Sequence, residues 1–314
     1  MADVKKVATR EAYGTALAKF GDKYDIVVLD ADLSKSTKTD TFKKKFPERF
    51  INCGIAEASM VSTAAGLASC GKIVFASSFA MFAAGRAFEQ VRNSICYPHL
   101  NVKIGATHAG ISVGEDGATH QSVEDIALMR SIPGMVVISP ADEVESIAAV
   151  EAAIKYDGPV YLRFGRLGVP AINDEATYKF ELGKGVQLKD GSDVSIIANG
   201  LMVPEALEAA KILQEEGINA RVINIHTIKP IDADIIIKAA KETGAIVTAE
   251  EHSVIGGLGS AVAEVLAENA PAPIVRVGIQ DKFGKSGKPA ALLEEYGLTA
   301  KNIAAKAKEA IAKK

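Results

Sequence analysis

The chain has 314 residues, 48% of them hydrophobic and 24% charged, with a formal net charge of −3. This is the composition of a globular protein with an ample core, and the length fits two domains. The near-neutral charge excludes a general attraction to nucleic acid, and no stretch approaches the roughly 18 apolar residues that a membrane helix needs.

The opening segment "MADVKKVATREAYG" has no apolar run behind its charges and does not read as a signal peptide. A first helix follows and carries Arg10. Five short β-branched runs then read as buried strands: "DIVVLDAD" (25–32), "KIVFASSF" (72–79), "NVKIGAT" (101–107), "MVVISP" (135–140) and "VYLRFG" (160–165). Between them "EASMVSTAAGLAS", "AGRAFEQVRNSI", "SVEDIALMRSI" and "DEVESIAAVEAAIKY" have helical apolar spacing. The pattern breaks in a stretch rich in Pro, Gly, Asp and Lys, placed as a linker over 169–192. It resumes with strands "VSIIANG", "ARVINIHTI", "AIVTAEEH" and "IVRVGI", with helices between them and a lysine-rich helix near 299–313. The expectation is an α/β protein of two tandem three-layer α/β/α domains with mostly parallel sheets, spanning 1–168 and 193–314.

The three cysteines, Cys53, Cys70 and Cys96, have no metal-ligand spacing. Their odd number, without an export signal, reads as reduced thiols in a cytoplasm.

Ligands of open parallel sheets bind beyond the carboxyl ends of the strands. In the first domain those ends carry Asp32, Ser34 and Ser36, then Ser78, Phe79 and Phe82. They continue with His108, Asp116 and His120 within "THAGISVGEDGATHQ", and with Arg166. Glu57 opens the helix before the second of these strands. An acid, two histidines, an arginine, an aromatic pair and hydroxyls suit a polar, anionic substrate beside a flat ring. Each has a plainer reading. A glutamate in a first helical turn is favoured by the helix dipole. Phe79 and Phe82 at i, i+3 fit a core, and "GEDG" fits a tight turn. Arg10 fits a solvated helix face, His226 a structural role and His99 a surface turn. Two histidines flanking one glycine-rich loop are harder to explain structurally. No G-x-G-x-x-G follows a strand, and no Walker-type loop is present. "GGLGSA" (256–261) opens a helix and reads as a turn or as an anion cradle.

Taken together, "GIAEA", "SSFAMFAAGRAFEQVR", "GEDGATHQSVEDIALMRSIPGMVVISPADEVES" and "DGPVYLRFGR" resemble the pyrimidine-binding domain of thiamine diphosphate enzymes of the transketolase group. Residues 194–314, with "TAEEHSVIGGLGSAVAE", resemble that family's C-terminal domain. The glycine-aspartate-glycine motif with which the family's N-terminal domain grips the cofactor diphosphate and magnesium is not found here. The resemblance therefore implies the C-terminal subunit of a split transketolase. It would self-associate as a homodimer and join a separate N-terminal subunit in a heterotetramer, with Mg2+ on the partner.

The resemblance also implies roles. Glu57 would bond the ring nitrogen of the cofactor's aminopyrimidine and promote the tautomer that removes the thiazolium proton. Such a carboxyl needs an apolar, water-poor setting. Asp32, Ile55, Glu57, Phe79 and Phe82 would bind the cofactor, Phe82 by stacking. Glu57 and His120 would be catalytic. Arg10, Ser36, His108, Asp116, His120 and Arg166 would bind the sugar phosphate, Arg10 and Arg166 through phosphate oxygens. Two positions depart from the family: Ala58 stands where histidine is usual, and Gly85 where tyrosine is common. "RAFEQV" and "GIAE" lean toward deoxyxylulose phosphate synthase, whereas His108 and the full "GEDGATHQ" are transketolase features. The beta subunit of a 2-oxoacid dehydrogenase and a non-catalytic binding scaffold remain as alternatives.

Overall fold

The strands of a parallel sheet alternate their side chains between two covered faces, and this alternation organises the first domain. In the strand Ile26–Asp30, Ile26 and Val28 join Tyr13 and Leu17 of the helix Thr9–Phe20 and Val150 of the helix Glu143–Lys155. Leu29 points the other way and joins Val61 and Ala64 of the helix Glu57–Ser69. The computed structural model describes residues 6–314.

The first sheet has seven strands in the order Thr227–Lys229, Val136–Ile138, Val160–Arg163, Val102–Thr107, Ile73–Phe79, Ile26–Asp30 and Phe50–Asn52. All run parallel except Thr227–Lys229. The second sheet has five strands in the order Ile274–Ile279, Ile246–Ser253, Val194–Ala198, Ala220–Asn224 and Val186–Lys189, of which the last is antiparallel. The architecture is thus two α/β units with mostly parallel sheets, as the alternating pattern predicts.

Three details differ from the sequence reading. "ARVINIHTI" is two strands rather than one. Ala220–Asn224 belongs to the second sheet, and Thr227–Lys229 crosses over to become the edge of the first. A continuous β-branched run carries no mark of where a chain changes sheets. The segment 169–192 is not bare linker: Val186–Lys189 is a sheet strand, and Gly168–Pro170 pairs with Lys6–Ala8. The helix expected over "AGRAFEQVRNSI" contains π-helical turns at Met81–Arg86 and Val91–Cys96.

The two units share one core. Met129, Ile132 and Val137 of the first pack in the same cluster as Ile197, Ile223, Ile246 and Val262 of the second. A buried polar link accompanies this packing. Arg163 Nε donates to Asp125 Oδ2 at 2.8 Å, Tyr161 donates its hydroxyl to the same oxygen at 2.8 Å, and Arg163 Nη2 donates to the Glu251 carbonyl at 2.9 Å. Burial alone would raise the Asp125 carboxyl, but Arg163 overrides it and holds the group below the usual carboxylate range. Breaking such a pair strands a buried charge, at a cost of about 3–5 kcal/mol.

Candidate active site

Glu57 is the first residue of its helix and its side chain is only 2% exposed. Among the described residues, Arg86 alone donates to it, from Nη1 to Oε2 at 3.1 Å. Arg86 is itself 55% exposed and lies over the Phe82 ring, 4.8 Å from its centroid. Phe82 and Arg86 are four residues apart, a spacing at which side chains meet on helical turns, here the π-helical turn Met81–Arg86. Its wider ring is seen in the Ala87 N–H donating to Phe82 O at 3.3 Å. Such turns recur at functional sites.

Phe82 stacks on Phe79 with the rings 15° apart and centroids 5.9 Å apart. Phe79 in turn stacks on His108 at 3.8 Å. His120 meets the edge of both phenyl rings, at 5.3 Å from Phe82 and 6.2 Å from Phe79. The carboxylate, the aromatic pair and the two histidines therefore form one connected rim.

His108 is buried and ends the strand Val102–Thr107 in a left-handed conformation, φ +56°. Asp32, after the strand Ile26–Asp30, is also left-handed at φ +64°. A non-glycine residue held there costs about 1–3 kcal/mol, and such strain gathers at functional sites. The buried carboxylate of Asp30 stabilises the turn that follows it, accepting from the Leu33 N–H at 2.6 Å and from the hydroxyls of Thr37 and Thr39 at 2.7 and 2.9 Å.

His108 Nε2 lies 3.2 Å from Arg10 Nη1, which also donates to the Ser36 carbonyl at 2.9 Å. A guanidinium can only donate, so Nε2 must be the bare, accepting nitrogen of a neutral ring. Burial, then the charges of Arg10 and Arg166, push the His108 imidazole down to about 3. Burial also lowers the Arg10 guanidinium; Glu11 opposes this and Arg166 adds to it. The rim thus holds two guanidinium groups close enough to repel, a setting that favours an anion.

Arg166 Nη1 donates to the Val113 carbonyl and lies 3.5 Å from Glu115 and 3.9 Å from Asp116. The "GEDG" loop is fastened from the second domain. Glu251 Oε1 accepts from the Ser112 N–H at 2.6 Å. Gly110, at φ +85°, lies so close to that carboxylate that a Cβ would sit 2.3 Å from it. Gln121 Nε2 donates to the carbonyls of Ile111, Gly114 and Lys285 at 3.1, 3.2 and 3.0 Å, tying the loop to the segment before the helix Pro289–Glu295.

Of the residues singled out from sequence, Glu57, Phe79, Phe82, His108, His120 and Arg10 lie on this connected rim, with Arg166 and Asp116 paired beside it. Ser36 contributes its carbonyl. Asp32 is exposed and accepts from Asn52 Nδ2 at 2.8 Å, and Ile55 is 78% exposed. No hydrogen bond or ring contact among the described residues joins Asp32 or Ile55 to the aromatic rim. The sequence reading missed Arg86, Gln121 and Glu251. Arg86 had a visible signal, a cation four residues after an aromatic; the other two depend on domain docking.

The rim can hold a flat heterocycle. Phe82, backed by the buried Phe79, offers an aromatic face, and a buried carboxyl beside it suits a ring nitrogen that shares a proton. The guanidinium of Arg86 already makes both contacts, lying over the Phe82 ring and bonding Glu57. This donor set fits an aminopyrimidine. Among the described residues no group of three or more His, Cys, Asp or Glu is placed to hold a metal ion, and no helix is long and apolar enough to cross a membrane.

Residues 5–170 match the model of the transketolase pyrimidine-binding domain, and residues 183–303 that of the transketolase C-terminal domain. A Methanocaldococcus jannaschii protein carrying the provisional name of a transketolase C-terminal section is 55% identical, covering 97% of this chain and 96% of its own. A 6-deoxy-6-sulfo-D-fructose transketolase subunit of a Clostridium species is 47% identical, covering 97% and 95%. A solved structure described as a split-gene transketolase, an inactive β4 tetramer, superposes with a TM-score of 0.92 at 58% identity, covering 98% and 99%. Longer relatives at 40% and 41% identity include human transketolase and a deoxyxylulose phosphate synthase of Heliobacterium modesticaldum, of which the match spans 48% and 44%.

Proposed function

The chain belongs to the transketolase family, and on that premise we propose that it is the pyrimidine-binding subunit of a two-chain, thiamine diphosphate-dependent transketolase. It moves a two-carbon ketol unit between sugar phosphates together with a separate diphosphate-binding subunit that holds Mg2+. The observation that carries this reading is Glu57, a carboxyl 2% exposed, bridged by a half-exposed arginine to the face of Phe82. When bound, the cofactor supplies the carbon nucleophile that accepts the ketol unit.

The chain's own residues supply the rest. Glu57 holds and moves a proton at the pyrimidine ring nitrogen, and its burial strengthens that bond. Phe79 and Phe82 orient the ring and exclude water. His120, at the edge of both phenyl rings, contacts the substrate hydroxyl next to the reacting carbon. Neutral His108 accepts from Arg10 and so fixes a cation toward the sugar's anionic end, and Ser36 holds that arginine through its carbonyl. Arg166 adds a second cation, and Asp116 beside it reads the sugar's hydroxyl pattern. Asp32 and the exposed Ile55 line the outer edge of the cofactor site. Alone, the chain self-associates and is inactive; with its partner it forms a heterotetramer of two copies of each chain. The β4 relative, described as inactive, supports this division of labour.

The relatives differ in the sugar that they are named for, so the assay must separate substrates. The chain and its diphosphate-binding partner, combined, should transfer ketol from xylulose 5-phosphate to ribose 5-phosphate. Turnover only of a sulfonated sugar would retain the mechanism and change the substrate. Condensation of pyruvate with glyceraldehyde phosphate, without ketol transfer, would assign the chain to the synthase branch instead.

A further inference from the structure

The Arg86 guanidinium makes two contacts at once. Its Nη1 donates to Glu57 Oε2 at 3.1 Å, and its Cζ lies over Phe82, 4.8 Å from the ring centroid. A flat aminopyrimidine bound as proposed above needs the same carboxylate and the same ring face. With Cζ over Phe82 and Nη1 on Glu57, the guanidinium occupies the space that such a ring would fill.

We infer that Arg86 is a placeholder for the cofactor: in the free subunit it closes the pyrimidine site by pairing with Glu57 and covering Phe82, and it must swing aside for the cofactor ring to enter. This rests on the proposed cofactor and concerns a residue to which the proposed mechanism gives no role. Two features of the chain support it. First, the pair is lopsided, with Glu57 2% and Arg86 55% exposed. The carboxylate is trapped and needs a partner, whereas the arginine has solvent to retreat into and loses little by leaving. Second, the latch is weak enough to open. A half-exposed ion pair and one cation–π contact are each of modest strength, so the ring of a tightly held cofactor displaces them.

A closed site lowers apparent affinity by the fraction of molecules that are open. With about one molecule in ten open, removing the latch tightens binding about tenfold, or about 1.4 kcal/mol.

The test is thiamine diphosphate binding, by calorimetry with Mg2+, to the chain assembled with its diphosphate-binding partner. Arg86→Ala should bind about tenfold more tightly than wild type and associate faster. Arg86→Lys, which keeps the charge and loses the planar group, should fall between them. Without cofactor, Arg86→Ala should unfold at a slightly lower temperature, because buried Glu57 then lacks its partner. Unchanged or weaker cofactor binding by Arg86→Ala would overturn the inference, the weaker case showing that Arg86 holds the bound cofactor. If the wild-type assembly binds no thiamine diphosphate, the functional reading itself fails, and the placeholder role with it.

Discussion

Both sheets end in acids beside a helix N-terminus, yet the two ends behave differently. At the second sheet, Glu250, Glu251 and His252 close the strand Ile246–Ser253, all buried. Glu250 accepts from the N–H groups of Leu258 and Gly259 at 2.6 and 2.8 Å, at the start of the helix Leu258–Asn269. A Cβ on Gly257 would sit 2.0 Å from its Oε2, so the backbone is moulded to the carboxyl. His252 Nε2 accepts from the Ala127 N–H at 3.3 Å. At the first sheet, Glu57 is as deeply buried but among the described residues takes no backbone N–H, and its partner is an arginine more than half exposed. The residue type and burial are alike, although Glu250 lies in a strand and Glu57 opens a helix. What separates them is the kind of partner: a carboxyl held by two fixed backbone donors is tied into the fold, whereas one paired with a half-exposed side chain keeps acceptor capacity for a ligand.

Exchanging the carboxyls for amides should split these roles, with the largest effect at Glu57. Glu57→Gln in the assembled enzyme should lower kcat about 100- to 10,000-fold, the usual range for a lost acid–base group, with the melting temperature nearly unchanged. Glu250→Gln should do the reverse, losing about 1–3 kcal/mol of stability as its amide meets the backbone donors while folded molecules keep their kcat. Calorimetry and initial rates on the two variants read both quantities. Activity in Glu57→Gln near wild type would erase the distinction.

Arginines from one strand end sharpen the same contrast. Arg163 is buried and locked to Asp125, while three residues on Arg166 is 35% exposed and lies against the exposed acids of the "GEDG" loop. Arg166→Ala should raise KM for a phosphorylated sugar about 10- to 100-fold, the range of a lost charge-assisted hydrogen bond, and much less for the unphosphorylated analogue. Equal effects on both sugars would show that Arg166 only fastens the loop.

The smallest effect is a pH signature. His108 has its folded value near 3, below the unfolded value of roughly 6.5. Its contribution to stability is present above 6.5 and is lost as pH falls toward 3. Burial, against its two backbone donors, pushes Glu250 up to about 7. Its contribution has the opposite sign, present below the ordinary carboxylate range and lost as pH rises through 7. Histidine ring-proton spectra should therefore show His108 neutral from pH 8 to 5. A midpoint near 6.5 would mean that its ring is not the buried acceptor of Arg10.

The strands were legible because both faces of a parallel sheet must be apolar, so runs such as "DIVVLDAD" and "KIVFASSF" declare themselves. The rim was legible because ligand groups gather at the carboxyl ends of such strands, which pointed to Glu57, Phe79, His108 and Arg166 before any coordinates. Arg86 carried a signal that went unread, a cation four residues after Phe82, where helical side chains meet; the π-helical turn itself leaves no mark in an apolar pattern. Glu251 and Gln121 were hidden for another reason. Their partners, Ser112 and Lys285, lie 139 and 164 residues away, and only the docking of the two units brings them together. The crossing of Thr227–Lys229 into the first sheet was concealed in the same way.

On the proposed function, this chain supplies only the ring half of a cofactor site. Thiamine diphosphate titrated with Mg2+ into the isolated chain, and into the chain mixed with its diphosphate-binding partner, tests it most directly. Weak binding without ketol transfer by the chain alone, and tight magnesium-dependent binding with transfer once the partner is added, is the predicted result. Tight magnesium-dependent binding and full ketol transfer by this chain alone would contradict it.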